Sequence, residues 1–323
     1  MSSEVRYACF DAVRACAIVL IMVCHWSRGG GYPFVGDWCG IVGNSLFFIL
    51  SGLLLGIGWH SKGCPRYGMT FLKRRCRRLF PAFWLVLLVY LVIIMLKGAS
   101  LPIVRFITNL IGLSWFCKLE GAGYLWFVTA ILIFYGEVVL LSRIKKIINR
   151  VGAVASVWLS LLVVAILQYM LVRVNVHQAW YLSFVWSAGM AFVYAKEIVD
   201  WLLAKTFSFR VAGCASLLAF GGVLYALLVG GVCVNGAPMA YWFGIVVSMS
   251  CLAVIIAPNM SGGGVISDLS YELYLTHSMV LFFVPLKKFT DNMVVSFVLF
   301  AMISFLSAFI LKNLAKAFVR ILP

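Results

Sequence analysis

Charge is scarce in this chain: 11% of its 323 residues are Asp, Glu, Lys or Arg, against 64% hydrophobic residues and a mean hydropathy of +1.07. A soluble globule of this size could not coat its surface with so few polar side chains, so the chain requires lipid as part of its solvent. Acidic residues are scarcer still, 10 against 26 basic ones. Histidines number four, and the ten cysteines are scattered without a C-x-x-C or Cys/His ligand spacing. That argues against a metal or dithiol centre and leaves most cysteines as packing residues. No hydrophilic stretch is long enough for a second domain, and residues 1–323 read as a single integral-membrane domain.

What the chain has in abundance is long apolar runs. A spanning helix needs roughly 20 mainly apolar residues and must satisfy its own backbone hydrogen bonds. Ten such runs are predicted, making an all-α polytopic bundle: Cys9–Ser27, Trp38–Gly58, Leu79–Leu96, Gly123–Leu141, Val151–Val172, Gln178–Ala195, Phe207–Val229, Pro238–Ala257, Ser267–Leu286 and Asn292–Leu311. The first resembles a signal peptide in its flanks but lacks a small-residue cleavage site, and it is read as a retained helix.

The net charge of +16 raises the question of nucleic acid, which the placement of the charges answers. Nineteen of the 26 basic residues fall on one side, on alternate loops, at the termini or, as with Arg14, opening the first span; the opposite side has only Arg28, Lys97, Arg105, Lys118, Arg173, Lys287 and Lys288. This asymmetry is the positive-inside pattern, and it predicts cytoplasmic N and C termini, as an even number of spans requires. The expected contact is with membrane lipid, not nucleic acid.

An ionisable group inside lipid costs about 2.5–3.5 kcal/mol at a helix centre on insertion scales, so each one needs a reason. Asp11, Arg14 and His25 share the first span. At about 100° per residue, eleven residues return Arg14 and His25 to nearly one face, roughly 16 Å apart along the axis, and Asp11 lies one turn before Arg14. They read either as an anchor with a hydrogen-bonding histidine or as a polar stripe between two compartments, on which His25 is the group able to move a proton near neutral pH.

Before the third span, Lys73-Arg74-Arg75-Cys76-Arg77-Arg78 places five cations in six positions. It is either an anchor on anionic lipid or a cytoplasmic site for a polyanion, with Arg74, Arg75 and Arg78 spaced to converge on phosphates.

Other constellations are weaker. Asn44–Gly52, including Ser51, has the small and hydroxyl residues of close helix packing. Pro102–Phe116 reads as an amphipathic helix on the outer interface, with Arg105, Thr108, Asn109 and Gly112 on one face. Ser270–His277 puts Tyr274 and His277 on one face of the ninth span, His277 being a satisfied buried histidine or an active one. Glu137 has no assignable partner, and His60 and His177 are expected in loops.

Taken in order, these residues resemble the acyltransferase-3 family of integral-membrane O-acyltransferases. The resemblance rests on Asp11-Ala-Val-Arg14 with His25, Leu46–Gly52, Arg74-Arg75-x-x-Arg78 ending at Pro81, Leu125-Trp126-Phe127, and Ser270-Tyr271-x-x-Tyr274-Leu275-x-His277. It implies ten helices in a bacterial inner membrane. It also implies acetyl or another acyl group passing from cytoplasmic acyl-coenzyme A to a sugar hydroxyl of a surface or lipid-linked glycan. Arg14 and His25, with Asp11, are implicated in catalysis and Arg74, Arg75 and Arg78 in holding the donor; Ser51, Trp126, Tyr274 and His277 are candidates to line the site. No metal is implied. Two departures stand out: Thr129-Ala130-Ile131 follows Trp126 where some relatives have paired glutamates, and no extracytoplasmic hydrolase-like domain is appended. The rival readings are a secondary transporter, against which the two halves show no repetition, and a scaffold without chemistry.

Overall fold

Backbone amides that cannot reach water must bond within their own segment, and in the computed structural model of the chain the described residues form helices joined by turns, with no strand among them. The structure describes residues 8–30, 33–62, 68–98, 100, 103–148, 206, 208–209, 264–284 and 290–321. The helices are α1 (Ala8–Gly30), α2 (Pro33–Lys62), α3 (Met69–Leu96), α4 (Ile103–Leu110), α5 (Trp126–Ile148, after a 3-10 turn at Gly123–Leu125), α6 (Gly264–Phe283) and α7 (Met293–Ile321). Phe10–Arg28, Met69–Leu96 and Met293–Arg320 are each long and apolar enough to cross a membrane. The spans expected at Val151–Val172, Gln178–Ala195, Phe207–Val229 and Pro238–Ala257, together with His177 and the side chain of Glu137, lie outside what is described.

Several helices outrun the apolar runs that predicted them. The arginine run is not a loop before α3 but its first turns, since the helix starts at Met69. Pro81 is tolerated inside it at the loss of one amide donor, the one that would have met the Arg77 carbonyl. α2 continues to Lys62, so His60 is helical where a loop was expected. α7 continues to Ile321 and carries Lys312 and Lys316 on its last turns.

The chain divides into two compact units that interleave along the sequence, one of Met1–Ile21, Asp37–Gly63 and Ile148–Asp268, the other of Met22–Gly36, Cys64–Ile147 and Leu269–Pro323. In the first, α2 lies close against α1 at Gly43, where an added Cβ would stand 2.8 Å from the Ala17 carbonyl oxygen and 2.9 Å from Ile21 Cγ1. Ala17, Ile18, Ser45, Leu46 and Phe48 are buried around this approach. The close approach falls at Gly43, one residue before the Asn44–Gly52 segment in which small residues were expected to allow it.

In the second unit α3 packs on α7. α3 turns Phe83, Val86, Leu87 and Tyr90 inward, while Leu88, Val89 and Val92 stay exposed; α7 buries Phe300, Ser304 and Ala308 and exposes Met302, Leu306 and Phe309. An apolar exposed face of this extent suits lipid, not water.

The segment after α3 differs from its expected form. α4 is eight residues long and ends at Leu110, and Gly112 follows with φ +82°, a left-handed conformation that glycine adopts without a Cβ penalty. Asn109 is fully buried and donates to the carbonyls of Arg105 (2.8 Å) and Cys117 (2.6 Å). Ile103, Val104, Ile107 and Ile111 are exposed, as is Arg105. Of the residues expected on one polar face, Arg105 is exposed and Asn109 is turned inside, because the chain reversal needs it there. Thr129 closes the same turn, donating to the Gly112 carbonyl (2.7 Å) and accepting from Trp115 N–H (3.1 Å).

Candidate functional site

The polar residues of α1 enter two clusters, one in each unit. In the first unit, Asp11 and Arg14 sit one turn apart with Arg14 Nη1 3.5 Å from Asp11 Oδ1, the two side chains 13% and 26% exposed. Ser267, near the start of α6, is buried against both. It accepts from Arg14 Nη1 at 3.0 Å and donates to Asp11 Oδ1 at 2.8 Å. The expected Asp11–Arg14 pairing is present, and the serine is an addition that the sequence did not announce.

In the second unit, His25 stacks on His277, ring centroids 5.0 Å apart and tilted by 59°. The two rings differ in their bonding. His277 is fully buried, with Nδ1 2.9 Å from the Leu273 carbonyl and Nε2 2.9 Å from Ser278 Oγ. A carbonyl only accepts, so Nδ1 carries the proton and Nε2 receives the serine hydroxyl. Both nitrogens of His277 are therefore engaged. Among the described residues neither ring nitrogen of His25 has a hydrogen-bond partner. Its neighbour Trp26 fixes this end of α1, packing on Phe297 with centroids 5.2 Å apart and pointing Nε1 to Ser296 Oγ at 3.5 Å.

Below the histidine pair lies an aromatic floor. Tyr124 donates to the Leu275 carbonyl (3.0 Å), and Tyr274 donates in turn to the Tyr124 carbonyl. Their rings lie 5.8 and 5.6 Å from His277, and Phe127 stacks on Tyr274 at 4.4 Å. Tyr271, one turn before Tyr274, donates to the Leu79 carbonyl of α3 at 3.0 Å. Two tyrosines one turn apart on α6 thus tie it to two different elements. Trp126 opens α5 and packs on Trp115 at 5.5 Å, at a distance of one residue from Phe127.

Of the remaining candidates, Ser51 in the first unit donates to the Phe47 carbonyl at 2.8 Å, a bond within its own helix. In the second unit the arginine run is solvent-facing at Arg74 and Arg78, and Arg75 is held back. Its guanidinium lies over Phe71 at 5.3 Å and Tyr135 at 5.5 Å, two rings that meet edge to face. Glu272 has Lys312, Arg78 and Lys316 in electrostatic range, three cations to one carboxylate among the described residues.

Ser267 and Tyr124 are the residues that the sequence did not single out. Tyr124 directly precedes Leu125-Trp126-Phe127, which is a local signal; Ser267 has none, since its partners are about 250 positions away.

No curated protein and no solved structure matches the chain. The acyltransferase-3 family model, described as an acyltransferase domain, matches residues 7–313, which takes in α1 through most of α7. That match covers nearly the whole sequence and includes both clusters, and the chain belongs to the acyltransferase-3 family.

Proposed function

We propose that this membrane acyltransferase moves an acyl group, acetyl in the first instance, from cytoplasmic acyl-coenzyme A to a sugar hydroxyl of a surface or lipid-linked glycan, in a bacterial inner membrane. The observation that supports the reading is the inequality of the two neighbouring histidines: His277 is hydrogen-bonded at both nitrogens and His25 at neither among the described residues, which suits His25 to act as general base and His277 as its support.

In this mechanism the acceptor hydroxyl gives its proton to His25 as its oxygen attacks the thioester carbonyl. In the other unit Arg14, whose charge Asp11 partly offsets, acts on the donor. The C–S bond then breaks, and the coenzyme A thiolate takes the proton back from the His25 imidazolium. Direct transfer is favoured over an acyl-enzyme at Ser51, because that hydroxyl is committed to Phe47. Arg74, Arg75 and Arg78 grip the donor phosphates. Stacking on Phe71 and Tyr135 pre-orients Arg75 for this, and Lys312 and Lys316 add to the positive field.

The test is incubation of membranes containing the protein with labelled acetyl-coenzyme A, with and without glycan-bearing membranes as acceptor. Free coenzyme A should appear in an acceptor-dependent way and label should pass to the glycan. A transporter or scaffold would release none above background, and that result would end the proposal.

A further inference from the structure

The Asp11–Arg14 pair is not closed on itself. At 3.5 Å the direct contact is longer than the 2.7–2.9 Å of a strong charge-assisted hydrogen bond, and the shorter links both run through the hydroxyl of Ser267. A serine hydroxyl has one proton and two lone pairs, so it can donate to the carboxylate and accept from the guanidinium at once; no apolar or purely donating side chain could. A long arginine side chain paired only along its own helix keeps part of its rotamer freedom. A third contact from another helix, buried and reaching both, removes it.

We propose that Ser267 is a positioning residue for Arg14, its hydroxyl bridging Asp11 Oδ1 and Arg14 Nη1 so that α6 sets the direction of the guanidinium. This rests on the reading of Arg14 as a group acting on the donor thioester. The predicted effect is on turnover, since a misdirected guanidinium still carries its charge but no longer orients the donor.

Two readouts on full-length protein in native membranes test it. One is the steady-state rate with labelled acetyl-coenzyme A and, in parallel, labelled succinyl-coenzyme A. The other is the rate at which phenylglyoxal modifies Arg14, followed by mass spectrometry of its peptide with Arg78 as internal standard. Ser267→Ala should lower kcat by about tenfold with KM changed by less than about twofold. It should also speed modification of Arg14 relative to Arg78. If that variant fails to accumulate, Ser267→Cys, which keeps the volume and weakens both hydrogen bonds, should show smaller changes in the same direction. An unchanged Arg14 modification rate, or faster modification with unchanged kcat, would overturn the positioning role. Full turnover by Arg14→Lys would instead sink the reading of Arg14 itself, and the change in Arg14 reactivity in Ser267→Ala would still be observed.

Discussion

Replacing Tyr274 by phenylalanine removes one oxygen from a site that is 1% exposed, where no water can take its place. The Tyr124 carbonyl loses that donor but keeps the Trp126 amide, and the Leu275 carbonyl, inside α6, keeps its helical partner when Tyr124 is changed. Neither carbonyl is orphaned, so each substitution forfeits an ordinary net hydrogen bond, about 1 kcal/mol, and not the 1–3 kcal/mol of an unsatisfied buried group. The two hydroxyls close one contact between α6 and the start of α5, so once either is gone the other holds less. Tyr124→Phe with Tyr274→Phe is therefore expected to cost less than the sum of the singles, by about 0.5 kcal/mol or more. Thermal unfolding in lipid nanodiscs, followed by tryptophan fluorescence, should show each single variant melting about 2–4 °C below wild type. Turnover should fall as well, because both rings pack on His277. Unchanged melting in both single variants would refute the clamp, and strict additivity would show that the two bonds act separately.

Other expectations follow from the same contacts. Gly43→Val drives a side chain into the Ala17 carbonyl and should destabilise the protein by about 1–3 kcal/mol, read as a lowered melting temperature; an unchanged one would mean that α1 and α2 do not meet there. Tyr135→Ala removes one of the two rings under Arg75 and should weaken binding of a non-hydrolysable acyl-coenzyme A by about two- to tenfold, from a cation–π term of about 0.5–1 kcal/mol or somewhat more. Equal affinity of wild type, Tyr135→Ala and Arg75→Ala in equilibrium dialysis would leave the arginine run as a lipid anchor. His277→Gln should keep at least about tenfold more activity than His25→Gln, since a support is easier to replace than a base; the reverse order in a coenzyme A release assay would exchange their roles.

The sequence makes the helices legible for a physical reason: a span must be apolar for about twenty residues, and α1, α3 and α7 are. Helix ends were less legible, because Lys312 and Lys316 or the arginines of α3 give no apolar signal yet continue the helix. The burial of Asn109 is not legible in the periodicity, which sees a polar residue on a polar face; the need to satisfy the carbonyls of Arg105 and Cys117 arises only when the chain turns. Among the site residues, the Asp11–Arg14 pairing and the shared face of Tyr274 and His277 could be inferred from helical spacing. The state of His277 could not, since it is set by Leu273 and Ser278 at hydrogen-bonding distance, nor could Ser267, whose contacts join opposite ends of the chain.

The proposed reaction turns on His25 as the proton acceptor. The most direct measurement is single-turnover transfer from labelled acetyl-coenzyme A to membrane glycan by His25→Ala, at protein levels matched to wild type. Transfer slower by about 10²–10⁴-fold with donor binding intact is the predicted result; transfer at the wild-type rate would contradict it.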